Sequence, residues 1–324
     1  MAITKIKINS REDFLRERKK SLGGSDMGAV LGTNNYSSPM SVWMDKTGKS
    51  PDKEESEWMR LGNDLEDYVA SRFSEKSGLK VINDRQTWRN DKYPYLHANI
   101  DRRIVGQKSG VECKVTSQLN EKKYRDGNFL DSYYTQCVEY LCVTEFDRWY
   151  LAVLILGVGI RIYQMTRIPD DVCPEWCESS VYVDDNEINA LAKAGEAFWK
   201  YVETNTPPPA DGHPATSKAI TMLYPDANQS RAVDLFGYED CLTQYMALKV
   251  QIDELTKLKE EMANRVKLYM GDSSKAEGNR YKVSWASQTR NTFDTKQFQK
   301  DYGHIDLSPY FKTSSSRIFR VSEK

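Results

Sequence analysis

The chain has 324 residues, of which 39% are hydrophobic and 11% aromatic, so it can bury one large core or two smaller ones. Its formal net charge of −1 excludes a strongly basic protein that attracts nucleic acid over its whole surface. The mean hydropathy is −0.68 and the longest apolar run is residues 151–160, far shorter than the ~20 residues of a membrane helix. The first residues, MAITKIKINS, lack the apolar stretch of a secretory signal, so we expect a cytoplasmic protein with no membrane partner.

The six cysteines have no spacing typical of a disulfide framework. We expect free thiols, as in a reducing compartment. Cys173 and Cys177 have no second pair of Cys or His ligands nearby in the sequence, which argues against a zinc or iron–sulfur site.

The first half of the chain predicts alternating helices and short strands. Residues 11–21 are typical of a short amphipathic helix, and in the turn LGGSD that follows, Ser25 or Asp26 can cap a helix through MGAVLG. Residues 56–77 predict a longer amphipathic helix that ends at Gly78. Its apolar side consists of Trp58, Leu61, Leu65, Tyr68, Val69 and Phe73.

Strands are predicted next, at 79–89, 95–104 and 110–116, with GQKSG as a hairpin turn between the last two. A helix follows at about 131–144. A second hairpin joins RWYLAVLIL to IRIYQMTR across Gly157–Gly159, and a helix at 185–204 stops at the proline-rich stretch NTPPPADG.

That proline-rich stretch divides the predicted chain into a domain of residues 1–209 and an extension of residues 210–324. In the extension, 237–270 predicts one long helix, and strands are expected near 280–287 and 317–322. The long helix has an apolar stripe that suits self-association, docking of a partner or simple packing. The stripe is formed by residues 245, 248, 252, 255, 258, 262, 266 and 269.

The stretch VECKV places charges in a strand that should bury one face. Because side chains alternate along a strand, Val111, Cys113 and Val115 face one way while Glu112 and Lys114 face the other. Asp101, on the neighbouring strand, can approach the charged face. Two carboxylates suffice for Mg²⁺, which keeps several waters, and a nearby lysine can polarise an attacking water. The alternative is an ordinary cross-strand ion pair.

Three further residues bear on this choice. Glu66 lies at the border of the apolar stripe of its helix, where a solvated role is the commoner one. Gln136, on the helix after the lysine strand, can hydrogen-bond the site or only the helix surface. Arg18 lies in a basic run that is more often a solvated face than a phosphate site.

Five motifs together resemble a known family: RKKSLGGSD, GNDLE, NIDRR, VECKV and YYTQCVEYL. Their order and spacing resemble the YqaJ-type viral recombinase nucleases, relatives of lambda exonuclease in the PD-(D/E)xK superfamily. The resemblance covers roughly residues 10–205 and implies an α+β or α/β core, a central mixed sheet flanked by helices, followed by a helical extension with a small β element. The family usually has Asp-Gly at Asp101-Arg102 and an aliphatic residue at Cys113.

The resemblance implies a role for each matching position. Asp101, Glu112 and Glu66 would bind Mg²⁺, for which Mn²⁺ can substitute, with the Val111 and Cys113 carbonyls nearby. Lys114 would act on the nucleophilic water, and Gln136 would support the site around it. Arg18 and Ser25 would receive the 5′-phosphate of the DNA. The implied activity is Mg²⁺-dependent 5′→3′ degradation of one strand of linear duplex DNA.

The resemblance also implies partners: ends of double-stranded DNA, a phage single-strand annealing protein, and further copies of the chain in a trimeric ring, inside a bacterial host cell. Two alternatives remain at this stage. One is a restriction or repair endonuclease with the same metal site, which would also cut closed circular duplex. The other is a non-enzymatic DNA-binding module with a decayed site, which the intact Asp/Glu/Lys trio disfavours.

Overall fold

The structure is a computed structural model that describes residues 2–51, 55–312 and 316–322. The chain forms two compact units, Met1–Tyr224 and Pro225–Lys324. Within the described ranges, no helix is long and apolar enough to cross a membrane.

The first unit contains seven α-helices and nine strands among its described residues. The helices are α1 (Arg11–Arg18), α2 (Gly24–Val30), α3 (Pro39–Lys46), α4 (Glu57–Ser77), α5 (Asp131–Thr144), α6 (Asp185–Glu203) and α7 (Pro214–Leu223). The strands are β1 (Ile3–Lys7), β2 (Val81–Asn83), β3 (Gln86–Asn90), β4 (Ala98–Asn99), β5 (Arg102–Ile104), β6 (Ser109–Thr116), β7 (Arg148–Ile155), β8 (Gly159–Thr166) and β9 (Ser179–Tyr182).

Six of these strands form the central sheet in the order β2-β5-β6-β7-β8-β9. The β6–β7 and β8–β9 pairs are parallel and the others antiparallel, so the sheet is mixed. Helix α5 connects β6 to its parallel neighbour β7, as parallel pairing requires a crossover. Strands β1, β3 and β4 form a separate antiparallel sheet.

Helices cover both faces of the central sheet. On one face, Val69 and Phe73 of α4 pack against a core that includes Val111 and Tyr150. On the other face, α5 packs against a larger core that includes Leu151 and Val153. The predicted central mixed sheet flanked by helices is therefore confirmed.

The first unit extends beyond the predicted boundary at Pro209. Helix α7 begins at Pro214, with Thr216 and Ala219 buried, and it contacts α3. The proline-rich stretch therefore connects two helices of one compact unit, which ends at Tyr224.

The second unit consists of the long helix α8 (Glu239–Met270), the hairpin β10 (Lys275–Glu277) and β11 (Lys282–Ser284), and the short helix α9 (Thr295–Asp301). Helix α8 buries only Met270, so its predicted apolar stripe is exposed within this unit. Residues 316–322 contain no strand, and the expectation of a strand at 317–322 is wrong, because the hairpin pairs β11 with β10 instead.

Two other predictions of local structure need correction. Helix α2 is capped by the backbone at Gly23, and Ser25 and Asp26 lie in its first turn, where the Asp26 carboxylate accepts a hydrogen bond from Gly23 N. In α4, Trp58 and Tyr68 of the predicted apolar side are exposed, whereas Val69 and Phe73 are buried against the sheet. The helix at 131–144 and both hairpin turns are as predicted.

Candidate active site

The site forms where pairing between β5 and β6 stops. The last antiparallel pair joins Arg102 to Val111. Beyond this pair, Cys113 N donates its hydrogen bond to the Asp101 carboxylate, at 2.8 Å, instead of to a backbone carbonyl of β5. Because the N–H and C=O of one strand residue project to the same side, the Cys113 carbonyl faces the same open edge as Asp101.

The predicted alternation along β6 is confirmed. Val111, Cys113 and Val115 belong to the α4 face. Glu112 lies beside Leu151 of the α5 face, and Lys114 beside Val153. The two charged residues therefore point toward α5.

Glu112 is buried at the centre of a hydrogen-bonded group. Its Oε1 accepts from Lys114 Nζ at 2.5 Å and from Gln136 Nε2 at 2.7 Å. Gln136 Nε2 lies equally close to the Tyr140 hydroxyl, at 2.7 Å. Lys114 Nζ also lies 5.2 Å from the ring centre of Tyr133, a cation–π contact.

The electrostatics of this group favour an added cation. Burial and the neighbouring Glu112 raise the pKa of Asp101 to about 8, because two ionised carboxylates in one buried site repel each other. Burial opposes the charge of Lys114, yet Glu112 and Asp101 raise its pKa above the ordinary value. Glu112 Oε2 is buried and has no hydrogen-bond partner among the described residues.

These donors fit a hard divalent cation such as Mg²⁺. The carboxylates of Asp101 and Glu112 and the Cys113 carbonyl at the open edge all offer oxygen ligands, and Glu112 Oε2 has no hydrogen-bond partner among the described residues. Across residues 2–51, 55–312 and 316–322, no three His, Cys, Asp or Glu side chains form a group that could hold a metal ion. Waters would therefore complete the coordination, as is usual for Mg²⁺.

Glu66 approaches from the other side of the sheet. Its Oε1 accepts a hydrogen bond from Arg102 Nη1 at 2.5 Å, and Arg102 Nη2 bonds Asp67. Burial and the charge of Asp101 raise the pKa of Glu66 despite that ion pair. Glu66 is thus near Asp101, but its direct partner is an arginine.

Arg18 and Ser25 lie beside a buried ion pair at the start of α2. Lys46 Nζ is 2.6 Å from Asp26 Oδ2, whereas Arg18 Nη2 is 3.7 Å from Asp26 Oδ1. Burial alone would raise the pKa of Asp26, but Lys46 and Arg18 lower it. Since Lys46 neutralises Asp26 at close range, the half-buried Arg18 guanidinium keeps donors for another anion.

One cavity of about 800 Å³ joins these groups. Of the residues predicted for the site, it is lined by Arg18, Ser25, Glu66, Asp101, Glu112, Lys114 and Gln136. Cys113 takes part through its backbone N–H.

Sequence reasoning missed three buried supports of the cavity. Lys46 pairs with Asp26, Tyr140 lies against Gln136, and Arg102 holds Glu66. Arg102 alone carried a signal, since the family usually has glycine there. Nothing in the local sequence distinguishes Lys46 or Tyr140 from ordinary helix residues.

The sequence matches a family and a curated relative. The model of the YqaJ-like viral recombinase domain matches residues 13–147, which contain every candidate site residue. The uncharacterised protein YqaJ of Bacillus subtilis strain 168 is 33% identical over 316 residues, covering 96% of this chain and 93% of that protein. The chain belongs to the YqaJ-like viral recombinase family.

Solved structures give weaker matches. An alkaline exonuclease from Laribacter hongkongensis is 12% identical, with a TM-score of 0.47, over 60% of this chain and 94% of that chain. A phage-related exonuclease from Haemophilus somnus 129PT is 14% identical, with a TM-score of 0.37, over 61% and 89%. Membership of the family therefore rests on the sequence matches.

Proposed function

We propose that this chain is a Mg²⁺-dependent nuclease that degrades one strand of linear duplex DNA in the 5′→3′ direction. The observation that supports this most strongly is the single cavity shared by the Asp101–Glu112–Lys114 group and by Arg18. This acidic group with its lysine, and a guanidinium that is paired only at 3.7 Å with Asp26, suit a substrate whose terminal phosphate and scissile bond lie close together.

Each residue of the group has a task in phosphodiester hydrolysis. Asp101 and Glu112 would hold the cation, and Mg²⁺, when bound, supplies positive charge that polarises the phosphate. Lys114 remains protonated beside Glu112, so it can donate a hydrogen bond to the attacking water or to the charge developing on the phosphate. Gln136 fixes Glu112 Oε1 and leaves Oε2 for the cation.

The direction of degradation would depend on Arg18. A terminal phosphate carries more negative charge than an internal phosphodiester, and a guanidinium can bind it with two parallel hydrogen bonds. Arg18 lines the cavity together with Ser25, whose hydroxyl is exposed. The net charge of −1 is compatible with DNA that meets only a local surface of the protein.

We extend the proposal to partners by the family resemblance. The single strand left after degradation would be taken up by a single-strand annealing protein, and the chain would assemble as a homo-oligomer, a trimeric ring by that resemblance. The exposed apolar stripe of α8 supports an interaction of the second unit with another chain.

The deciding experiment compares duplexes that differ at one feature. Linear DNA with 5′-phosphate, linear DNA with 5′-hydroxyl and closed circular DNA are incubated with and without Mg²⁺, with label at the 5′ or 3′ end. We expect early release of the 5′ label, only with Mg²⁺ and fastest on the phosphorylated end. Cutting of closed circles at a similar rate would favour an endonuclease, and Mg²⁺-independent degradation would refute the metal site.

A further inference from the structure

Arg102 lies beneath the active site, on the face of the sheet opposite Lys114. It is opposite Val111 in the β5–β6 pair, and facing residues of an antiparallel pair share one side of the sheet. Its side chain is only 4% exposed. A guanidinium buried this deeply requires acceptors for its donors.

The acceptors are two carboxylates of α4 and the backbone carbonyl of Asp101. Nη1 donates to Glu66 Oε1 at 2.5 Å and to the Asp101 carbonyl at 2.6 Å, while Nη2 bonds Asp67. Glu66 and the backbone of Asp101 are therefore bridged by one fixed positive charge. Burial disfavours the charged form of Arg102, but its hydrogen bond to Glu66 and the negative charges of Glu66 and Asp67 outweigh this effect. The pKa of Arg102 is therefore raised.

The two sides of the site differ in whether a carboxylate oxygen is left for a metal ion. On the α5 side, Glu112 Oε2 is buried without a partner among the described residues. On the α4 side, Glu66 is paired with Arg102 at 2.5 Å, as Glu112 is with Lys114, but among the described residues Glu66 has no buried oxygen left without a hydrogen-bond partner. A metal ion that bound Glu66 directly would have to displace, or lie beside, a buried guanidinium.

The charges around Arg102 lead to the same view. Its guanidinium pairs with two carboxylates of α4, Glu66 and Asp67, and so neutralises part of their negative charge. A divalent ion brought to Glu66 would meet this fixed positive charge at close range, and like charges repel each other strongly in a buried site.

If the chain is the metal-dependent nuclease proposed above, we infer that Arg102 supplies the positive charge that a second metal ion would otherwise bring. The site then binds one divalent ion, between Asp101 and Glu112. Glu66 then acts through Arg102 as a positioning residue and not as a metal ligand. Arg102 donates a hydrogen bond to the Asp101 carbonyl and so fixes the backbone of that residue. The Asp101 carboxylate accepts from Cys113 N at the point where backbone pairing between β5 and β6 has ended.

The test counts bound Mn²⁺ by the electron paramagnetic resonance signal of the free ion in equilibrium titrations of the full chain. We expect one ion on the wild type, two on Arg102→Met, and one again on Arg102→Met/Glu66→Gln, because the second ion needs the released carboxylate. Arg103→Met is the matched control: this neighbouring arginine pairs with Asp84 and should leave the count at one.

The number of ions bound by the wild type distinguishes a wrong role for Arg102 from a wrong nuclease proposal. Two ions on a wild type that degrades DNA would overturn the role of Arg102 and leave the nuclease proposal intact. No bound ion would refute metal dependence itself. A folded Arg102→Met protein that still binds one ion would also overturn the inference.

Folding is checked by circular dichroism. If Arg102→Met does not fold, Mn²⁺ affinity in two other variants decides. Glu66→Gln should weaken binding by roughly ten- to a hundredfold, the range of a residue behind the ligands, and Asp101→Asn, which removes a direct ligand, by clearly more. Equal losses in the two variants would identify Glu66 as a direct ligand and refute the inference.

Discussion

Gly24 connects the packing of helix α2 to the active site, and adding one methyl group there should damage both. A Cβ at Gly24 would lie 2.6 Å from Gln136 Cγ and 3.2 Å from the Gln136 Cα and O atoms. The first distance is shorter than real Cβ contacts, and the other two involve backbone of α5 that cannot rotate away. Either α2 must move or Gln136 must leave its place.

Gln136 cannot leave without loss, because its Nε2 donates to Glu112 at 2.7 Å. Overpacking of a core by one methyl group destabilises a protein by roughly 1–3 kcal/mol. For a unit of this size, that lowers the melting temperature by about 2–12 °C. A displacement of about 1 Å at the catalytic group can slow the reaction by up to roughly a hundredfold.

Gly28→Ala is the matched control, since it lies on the same helix and faces the same neighbour. A Cβ there would meet Thr33 and Ser132 at 3.5–3.6 Å, ordinary van der Waals contact. Alanine also favours a helix over glycine by up to about 1 kcal/mol. We therefore expect Gly28→Ala to be as stable as the wild type or slightly more stable, with unchanged activity.

The measurement is the melting temperature of each variant in metal-free buffer, followed by the rate of duplex degradation at a temperature where both variants are folded. If Gly24→Ala equals Gly28→Ala in both properties, the close packing of α2 on Gln136 is not a feature of the protein and the reasoning fails.

Four other predictions concern the charges of the site and the second unit. Lys114→Met should reduce DNA degradation by orders of magnitude while DNA binding in Ca²⁺, measured by gel shift, is retained; near-parental degradation would exclude this lysine from the chemistry. Arg18→Ala should remove most of the preference for 5′-phosphate over 5′-hydroxyl ends, a loss of roughly ten- to hundredfold on the phosphorylated substrate, whereas equal slowing of both would indicate a general basic surface. Without metal, the unfolding free energy should fall as pH rises from near 4 to about 8, by up to about 1.4 kcal/mol per pH unit, because folded Asp101 keeps a proton that the unfolded chain releases; Asp101→Asn should flatten this profile in chemical denaturation. Truncation after Tyr224 should keep the first unit folded and reduce oligomer size in light scattering or abolish capture of an annealing protein, and a change in neither would make α8 a structural appendage.

Periodicity in the sequence determined the local elements of the site. The alternation Val111-Glu112-Cys113-Lys114 assigned the two charged residues to one face, and the structure confirms it, because strand geometry forces this alternation whatever the fold. The helix at 131–144 was equally predictable. Its Gln136 is 24 residues from Glu112 in the chain, so the hydrogen bond between them depended on how α5 packs on the sheet.

Contacts between distant segments were decided by the tertiary structure. The partners of Glu66 and Asp26 are Arg102 and Lys46, which the sequence places in other elements. The apolar stripe of α4 predicted a packed face along the whole helix, yet Trp58 near its start is exposed, since hydrophobic periodicity reports which side is apolar and not how far the sheet extends beneath it. Arg102 shows the same limit most clearly. Its charge was visible in the sequence, but its burial under Asp101 depends on where pairing between β5 and β6 ends, and that point is set by the three-dimensional packing of the sheet.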